Sequence, residues 1–170
     1  MGLLDGWKYC PRCASALAGD ARRLECGACG FAAYGNSVPG AEAVLLDDDG
    51  RVLLGRRRFE PRAGYWDFPG GFLDEGEDPL DGMRREIREE TGLEVEPLHF
   101  LGFWNEPYDG RIVLCLTWVA RARGNARAAD DLTELRWFAP DDLPWDELAF
   151  THYAPALSRA LEDQRPAQQG

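Results

Sequence analysis

Apolar positions recur along this chain in two periods. Over Pro79–Thr91, Leu80, Met83 and Ile87 return at helical spacing, so a narrow apolar stripe runs along one side of a predicted helix. Asp78 stands where an N-cap belongs, Pro79 at the first helical position and Gly92 just past the last turn, so both ends are signalled. A second helix is expected over about Pro155–Asp163. Elsewhere apolar, β-branched and aromatic residues gather in short runs that read as strands. Ala41–Leu46 and Arg51–Gly55 flank Asp47-Asp48-Asp49-Gly50, a hairpin signal, and Leu98–Trp104, Ile112–Arg121 and Leu135–Phe138 come after them. Runs of strands with one central and one late helix predict an α+β fold, a mixed sheet sandwiched by helices.

Composition narrows the setting. The longest nearly uninterrupted apolar stretch, Ile112–Ala120, falls far short of the ~18 residues of a membrane span, and the amino terminus lacks a basic segment followed by an apolar one. A cytoplasmic location with no membrane partner is the expectation. The 170 residues, 45% hydrophobic and 29% charged, suit one globular domain with a small annex. The net charge of -11 argues against a nonspecific grip on nucleic acid or anionic lipid. A phosphate-bearing ligand would therefore need local help, from a metal ion or a few placed arginines.

Four cysteines form two pairs, Cys10 with Cys13 and Cys26 with Cys29, each pair separated by two residues. Such spacing lets a tight turn aim both sulfurs at one ion, and two turns supply the four ligands of structural zinc. Gly27 and Gly30 suit the unusual backbone angles of the second turn. The alternatives are a pair of disulfides, disfavoured in a reducing compartment, or a redox pair, which leaves the second copy unexplained. The segment resembles a zinc ribbon. The turn-rich run Tyr34–Gly40 separates it from the rest of the chain, which divides into a ribbon, 1–35, a main domain, 36–165, and a loose tail, 166–170. Cys115, within an apolar run, reads as an inert core thiol.

The central helix carries a second stripe. Glu86, Glu89 and Glu90 adjoin the apolar one, while Asp81, Arg84 and Arg88 take the outer side. A solvated acidic face is one reading. The other is a cluster of oxygens at the edge of a core, as a hard divalent cation requires, and magnesium held this way commonly brings phosphates with it.

Here the residues match a known pattern. Gly71, five residues, Glu77, seven residues, then Arg85-Glu86-Ile87-Arg88-Glu89-Glu90-Thr91-Gly92-Leu93 resembles the complete Nudix box. Leu53–Arg57, Gly64–Gly71 and Leu135–Phe138 resemble the segments around that box, and a ribbon ahead of it is similar to the arrangement in the NADH pyrophosphatase branch. The downstream signature of that branch is replaced by Trp104-Asn105-Glu106-Pro107-Tyr108.

The resemblance implies a Nudix-type α/β/α sandwich and hydrolysis of the diphosphate bond in a nucleoside diphosphate linked to another group. ADP-ribose, NADH or FAD are the expected substrate type, with release of a nucleoside monophosphate. It implies catalytic Mg2+ or Mn2+ held by Glu86, Glu89 and Glu90 and the carbonyl of Gly71. Asp131, with Glu134 as the alternative, is the candidate for a distal metal-linked carboxylate. Arg85 would orient the carboxylates, Glu77 would hold the preceding loop, and the general base would be a box glutamate, Glu86 being the choice, or a later carboxylate. Arg56 and Arg57 are candidates for substrate phosphates, with a solvated strand end as the alternative, and Trp66 and Phe68 for stacking on a base, with core packing as the alternative. His99 and His152 show no partner in sequence and receive no role. The partner is a small-molecule nucleotide, and a homodimer is allowed. A reading of a different class is a nucleotide-sensing module whose ribbon contacts protein or nucleic acid.

Overall fold

The computed structural model describes residues 2–163, so the expected tail, 166–170, lies outside the described residues. The chain divides into two compact units, Met1–Val38 with Pro107–Val113, and Pro39–Glu106 with Leu114–Gly170.

The smaller unit holds a three-stranded antiparallel sheet in chain order, β1 (Ala18–Asp20), β2 (Arg23–Glu25) and β3 (Ala32–Tyr34). The larger is built on a mixed sheet. Its strands are β4 (Val38–Leu46), β5 (Val52–Arg57), β6 (Trp66–Asp67), β7 (Gly70–Phe72), β8 (Glu94–Tyr108), β9 (Arg111–Arg123) and β10 (Leu132–Phe138), in the order β10-β5-β4-β9-β8. The short strands β6 and β7 pair with β5 and β4 respectively.

Two helices cover opposite faces of this sheet. The α1 helix (Pro79–Thr91) buries Met83 and Ile87 against Ala41, Ala43 and Leu45 of β4 and Leu53 of β5. The α2 helix (Tyr153–Asp163) buries Tyr153, Ala156, Leu157 and Ala160 against Val44, Leu46, Val52 and Leu54. Alternation along β4 and β5 sends successive side chains to the two cores, so both strands are apolar on both faces. The exception is Glu42, a carboxylate buried within β4. The α/β/α sandwich is thus the expected one. Strands β4, β8, β9 and β10 start earlier than their apolar patterns suggest, and β8 and β9 also end later, since backbone pairing does not require apolar side chains. No helix among the described residues is long and apolar enough to cross a membrane.

Candidate active site

The site grows from the ends of α1. The Asp78 carboxylate accepts the Leu80 N–H at 2.9 Å, and Gly92, at φ 69°, turns the chain out while its N–H bonds the Arg88 carbonyl. With both ends held, the helical spacing presents three glutamates at graded depth. Glu90 is buried, Glu86 half-buried and Glu89 exposed. Glu90 accepts the Gly70 N–H at 2.9 Å, and this binds α1 to the strand edge at β7. Burial, together with the nearby carboxylates of Asp67, Glu86 and Asp131, pushes Glu90 up to about 9 against the pull of that N–H. Burial likewise raises Glu86, although Arg85 opposes it.

Gly71 lies against Glu86. A β-carbon there would stand 2.5 Å from the Glu86 carboxyl carbon, so only glycine lets backbone and carboxylate come this close. A backbone segment against two partly desolvated carboxylates, with further carboxylates near, is a donor set suited to a hard divalent cation.

Arg85 braces the cluster. Its Nε and Nη2 donate to the two Glu77 oxygens at 2.8 and 2.9 Å, its Nη1 reaches Glu86 at 2.7 Å and Glu89 at 3.4 Å, and Nη2 also meets the Phe72 carbonyl at 3.1 Å. This fork holds Glu77 down to about 2, aided by the Asp74 N–H. Glu77 in turn rests on Gly82, where a β-carbon would meet its Oε2 at 2.8 Å.

The loop before β10 is pinned to the other end of α1. Arg127 and Ala129 donate their N–H groups to the Thr91 and Glu90 carbonyls, at 2.8 and 2.9 Å, and the Arg58 N–H bonds the Asp131 carbonyl at 2.8 Å. The first two satisfy carbonyls that a helix end leaves open, and the loop so held has the Asp131 charge within range of Glu90. Glu134 is instead paired with Arg56 at 3.2 Å.

The expected substrate contacts fare differently. Trp66 and Phe68 are each 2% exposed, with Trp66 edge-on to Phe138 and Phe68 beside Tyr153. Neither offers a face to a base, which corrects that expectation: both lie on the α2 side of the sheet, where the core needs large apolar groups. Arg57 pairs with buried Asp67 and donates to the Pro61 carbonyl at 2.8 Å, so its guanidinium neutralises a buried carboxylate and is not held free for phosphate. Arg56 lies over the Trp66 ring at 4.2 Å and donates to the Gly64 carbonyl at 2.6 Å.

Several buried groups escaped sequence reasoning. Asp67 accepts hydrogen bonds from Arg57 and from the Tyr153 hydroxyl. His152 does have partners: its Nε2 lies 2.8 Å from Glu42 and its Nδ1 3.1 Å from Glu106, and all three are buried. Thr117 donates to Glu42 at 2.7 Å and Thr151 to Glu106 at 2.8 Å. Cys115 is buried, as expected of a core thiol, but it lies beside Glu42 and His152, because its alternation along β9 points it at α2 with Thr117. Burial pulls the His152 imidazole down, but the neighbouring Cys115 and the hydrogen bond and charge of Glu42 outweigh this and raise it to about 11. His99 meets Asp163 at 3.2 Å. The one available signal was Glu42 itself, a lone charge inside an apolar strand pattern.

In the smaller unit the four thiols of Cys10, Cys13, Cys26 and Cys29 lie within 4.8 Å of one another, with Cys10 to Cys29 at 3.6 Å and Cys13 to Cys26 at 3.5 Å. A tetrahedron with ~2.3 Å bonds to sulfur has edges of ~3.8 Å, so the set fits zinc. Two like turns build it: Ala14 N–H bonds the Cys10 carbonyl and Gly30 N–H the Cys26 carbonyl, both at 2.9 Å. Gly30 takes a positive φ of 71°, as expected, but Gly27 does not, and Ala14 at φ 59° does the same work in the first turn.

A model of the NUDIX domain matches residues 37–159. The chain is 32% identical over 111 residues to the ADP-ribose pyrophosphatase of Methanocaldococcus jannaschii, with 64% of each chain covered. It is 31% identical over 140 residues to the NAD-capped RNA hydrolase NudC of Pseudomonas aeruginosa, covering 81% of this chain but only 49% of that protein. A solved NUDIX hydrolase from Nitrosomonas europaea is similar in fold, with a TM-score of 0.80 over 92% of both chains at 23% identity.

Proposed function

The chain belongs to the NUDIX family, and on that premise we propose that it is a magnesium-dependent hydrolase of the diphosphate bond in a nucleoside diphosphate-linked substrate. The observation that carries this reading is the carboxylate cluster of Glu86 and Glu90 against the Gly70-Gly71 backbone, with Arg85 and Glu77 bracing it. Glu86, Glu90 and the Gly71 carbonyl would hold the metal, Glu89 would complete or orient the set, and Asp131 would join from its loop. Magnesium, when bound, neutralises diphosphate charge and lowers the pKa of a coordinated water. Within the cluster Glu86 is also the choice for general base, because it is only half-buried where Glu90 is buried. Water attacks one phosphorus, the bridging bond breaks, and a nucleoside monophosphate leaves.

The substrate reading rests on the relatives. The activity for which the Methanocaldococcus relative is named favours ADP-ribose among ADP-ribose, NADH and FAD. Arg56, near the end of β5 and paired there with Glu134, is the candidate for a substrate phosphate. In the smaller unit, the four cysteines would hold structural zinc in a reducing, cytoplasmic setting, with no open position for chemistry.

The test is magnesium-dependent release of AMP from ADP-ribose, NADH and FAD, with coenzyme A, dinucleoside polyphosphates and nucleoside triphosphates as further arms. Glu90→Gln keeps the side-chain shape but cannot ionise to meet the metal, so activity should fall about a thousandfold while the fold survives. Arg88→Gln is the control, since Arg88 pairs with Glu94 at 2.7 Å on the outer face of α1, and it should change the rate little. Full activity of Glu90→Gln at limiting magnesium would refute the metal site. No turnover by the wild type would favour the nucleotide-sensing module.

A further inference from the structure

The buried cluster around His152 supplies no ligand to the proposed metal site, yet a role for it rests on that functional reading. We propose that Glu42, clamped by His152 and Thr117, is a positioning residue that sets where the Gly70-Gly71 edge meets the metal-holding carboxylates of α1. The connection is a short series of contacts. His152, just before α2, meets Glu42 at 2.8 Å, and Thr117 of β9 donates to the same oxygen at 2.7 Å. Glu42 stands opposite Gly70 in the ladder between β4 and β7, and Ala41 opposite Gly71. A β-carbon on Gly70 would lie 2.5 Å from the Glu42 α-carbon and 2.6 Å from its β-carbon, so this backbone rests directly on Glu42. The Gly70 N–H then reaches Glu90 at 2.9 Å.

The clamp is itself held. Glu106 takes the other ring nitrogen of His152 at 3.1 Å, and Thr151 donates to Glu106 at 2.8 Å. The ring of Trp104 stacks on the imidazole at 5.7 Å between centroids. The next residue, Tyr153, donates its hydroxyl to Asp67 of β6. His152 and Tyr153, adjacent at the entry to α2, thus engage Glu42 and Asp67 behind the site, although α2 lies on the opposite face of the sheet from α1. A role confined to holding the core together does not require these contacts to converge on the strand edge that meets Glu90.

Thr117→Val is the most informative variant, because it removes one hydroxyl from a buried site at nearly constant shape, and Thr117→Ser keeps the hydroxyl. Three quantities are measured for wild type, Thr117→Val, Thr117→Ser and His152→Gln. These are the magnesium concentration for half-maximal turnover of the best substrate, Mg2+ binding by calorimetry without substrate, and hydrogen exchange of the Gly70 amide. Thr117→Val should need about tenfold more magnesium and exchange the Gly70 amide about tenfold faster, with KM within about twofold of wild type. Thr117→Ser should restore both values, and His152→Gln should lose about a hundredfold in kcat. Variants that melt earlier but keep the wild-type magnesium requirement and Gly70 protection would overturn the proposal, leaving these residues as core support only. If His152→Gln does not fold, the Thr117 pair decides alone. Should no substrate turn over in the wild type, the functional reading fails by itself, and calorimetry with Gly70 exchange still decides this one.

Discussion

At Gly71 the addition of one methyl group reaches the site's centre. The new β-carbon would lie 2.5 Å from the Glu86 carboxyl carbon and 2.6 Å from its Oε2, so Gly71→Ala must push that side chain aside. Since φ at Gly71 is not in the left-handed region, the backbone itself tolerates alanine, and the cost falls on the carboxylate. The expected outcome is a fall in kcat of about a hundredfold with a melting temperature near that of the wild type. Steady-state kinetics beside a thermal melt check it, and an active variant would mean that Glu86 can leave Gly71 without consequence. Arg85 shows the complementary logic, because one planar cation bonds three carboxylates in fixed directions and so keeps like charges close.

Among the elements, α1 and α2 differ in how they are attached. The α2 helix is tied to β4 through an imidazolium, and this gives the attachment a pH dependence. The folded state holds the His152 proton up to about 11, above its ordinary value of 6.5. The stabilisation is therefore complete below pH 6.5 and is lost as pH rises through about 11, because the native state binds the extra proton. The gap in melting temperature between wild type and His152→Gln should narrow steadily over that window, and a constant gap would count against an imidazolium clamp. The two helices also differ in how far the sequence reveals them. The α1 helix was legible to the residue, since its caps and stripe lie within one stretch from Asp78 to Gly92. Its glutamates lie on one side of it by spacing alone. Nothing local announces that Tyr153 will meet Asp67, 86 positions away, or that His152 will meet Glu42, 110 positions away. Only the tertiary fold creates those pairs, and the same fold buried Trp66 and Phe68, whose composition had suggested a role with substrate.

For the whole molecule, the two proposed metal sites lie in different compact units and share no ligand. Cys10→Ser should bring zinc, measured by elemental analysis, from one equivalent to well below it, and should open the smaller unit to limited proteolysis. The magnesium requirement of hydrolysis should stay at the wild-type value; a shift in it would show that the zinc unit helps build the catalytic one. In the larger unit the parts of the site arrive at different times during synthesis. Gly70, Gly71, Glu77 and the glutamates of α1 lie within a single short stretch, and the bond from Gly70 to Glu90 closes a loop of only 20 positions. The Glu42 clamp, by contrast, waits for His152, 110 positions later. On the ribosome, therefore, a nascent chain presents the carboxylates proposed to hold the metal well before His152, and the proposed site would be complete only once the start of α2 has emerged.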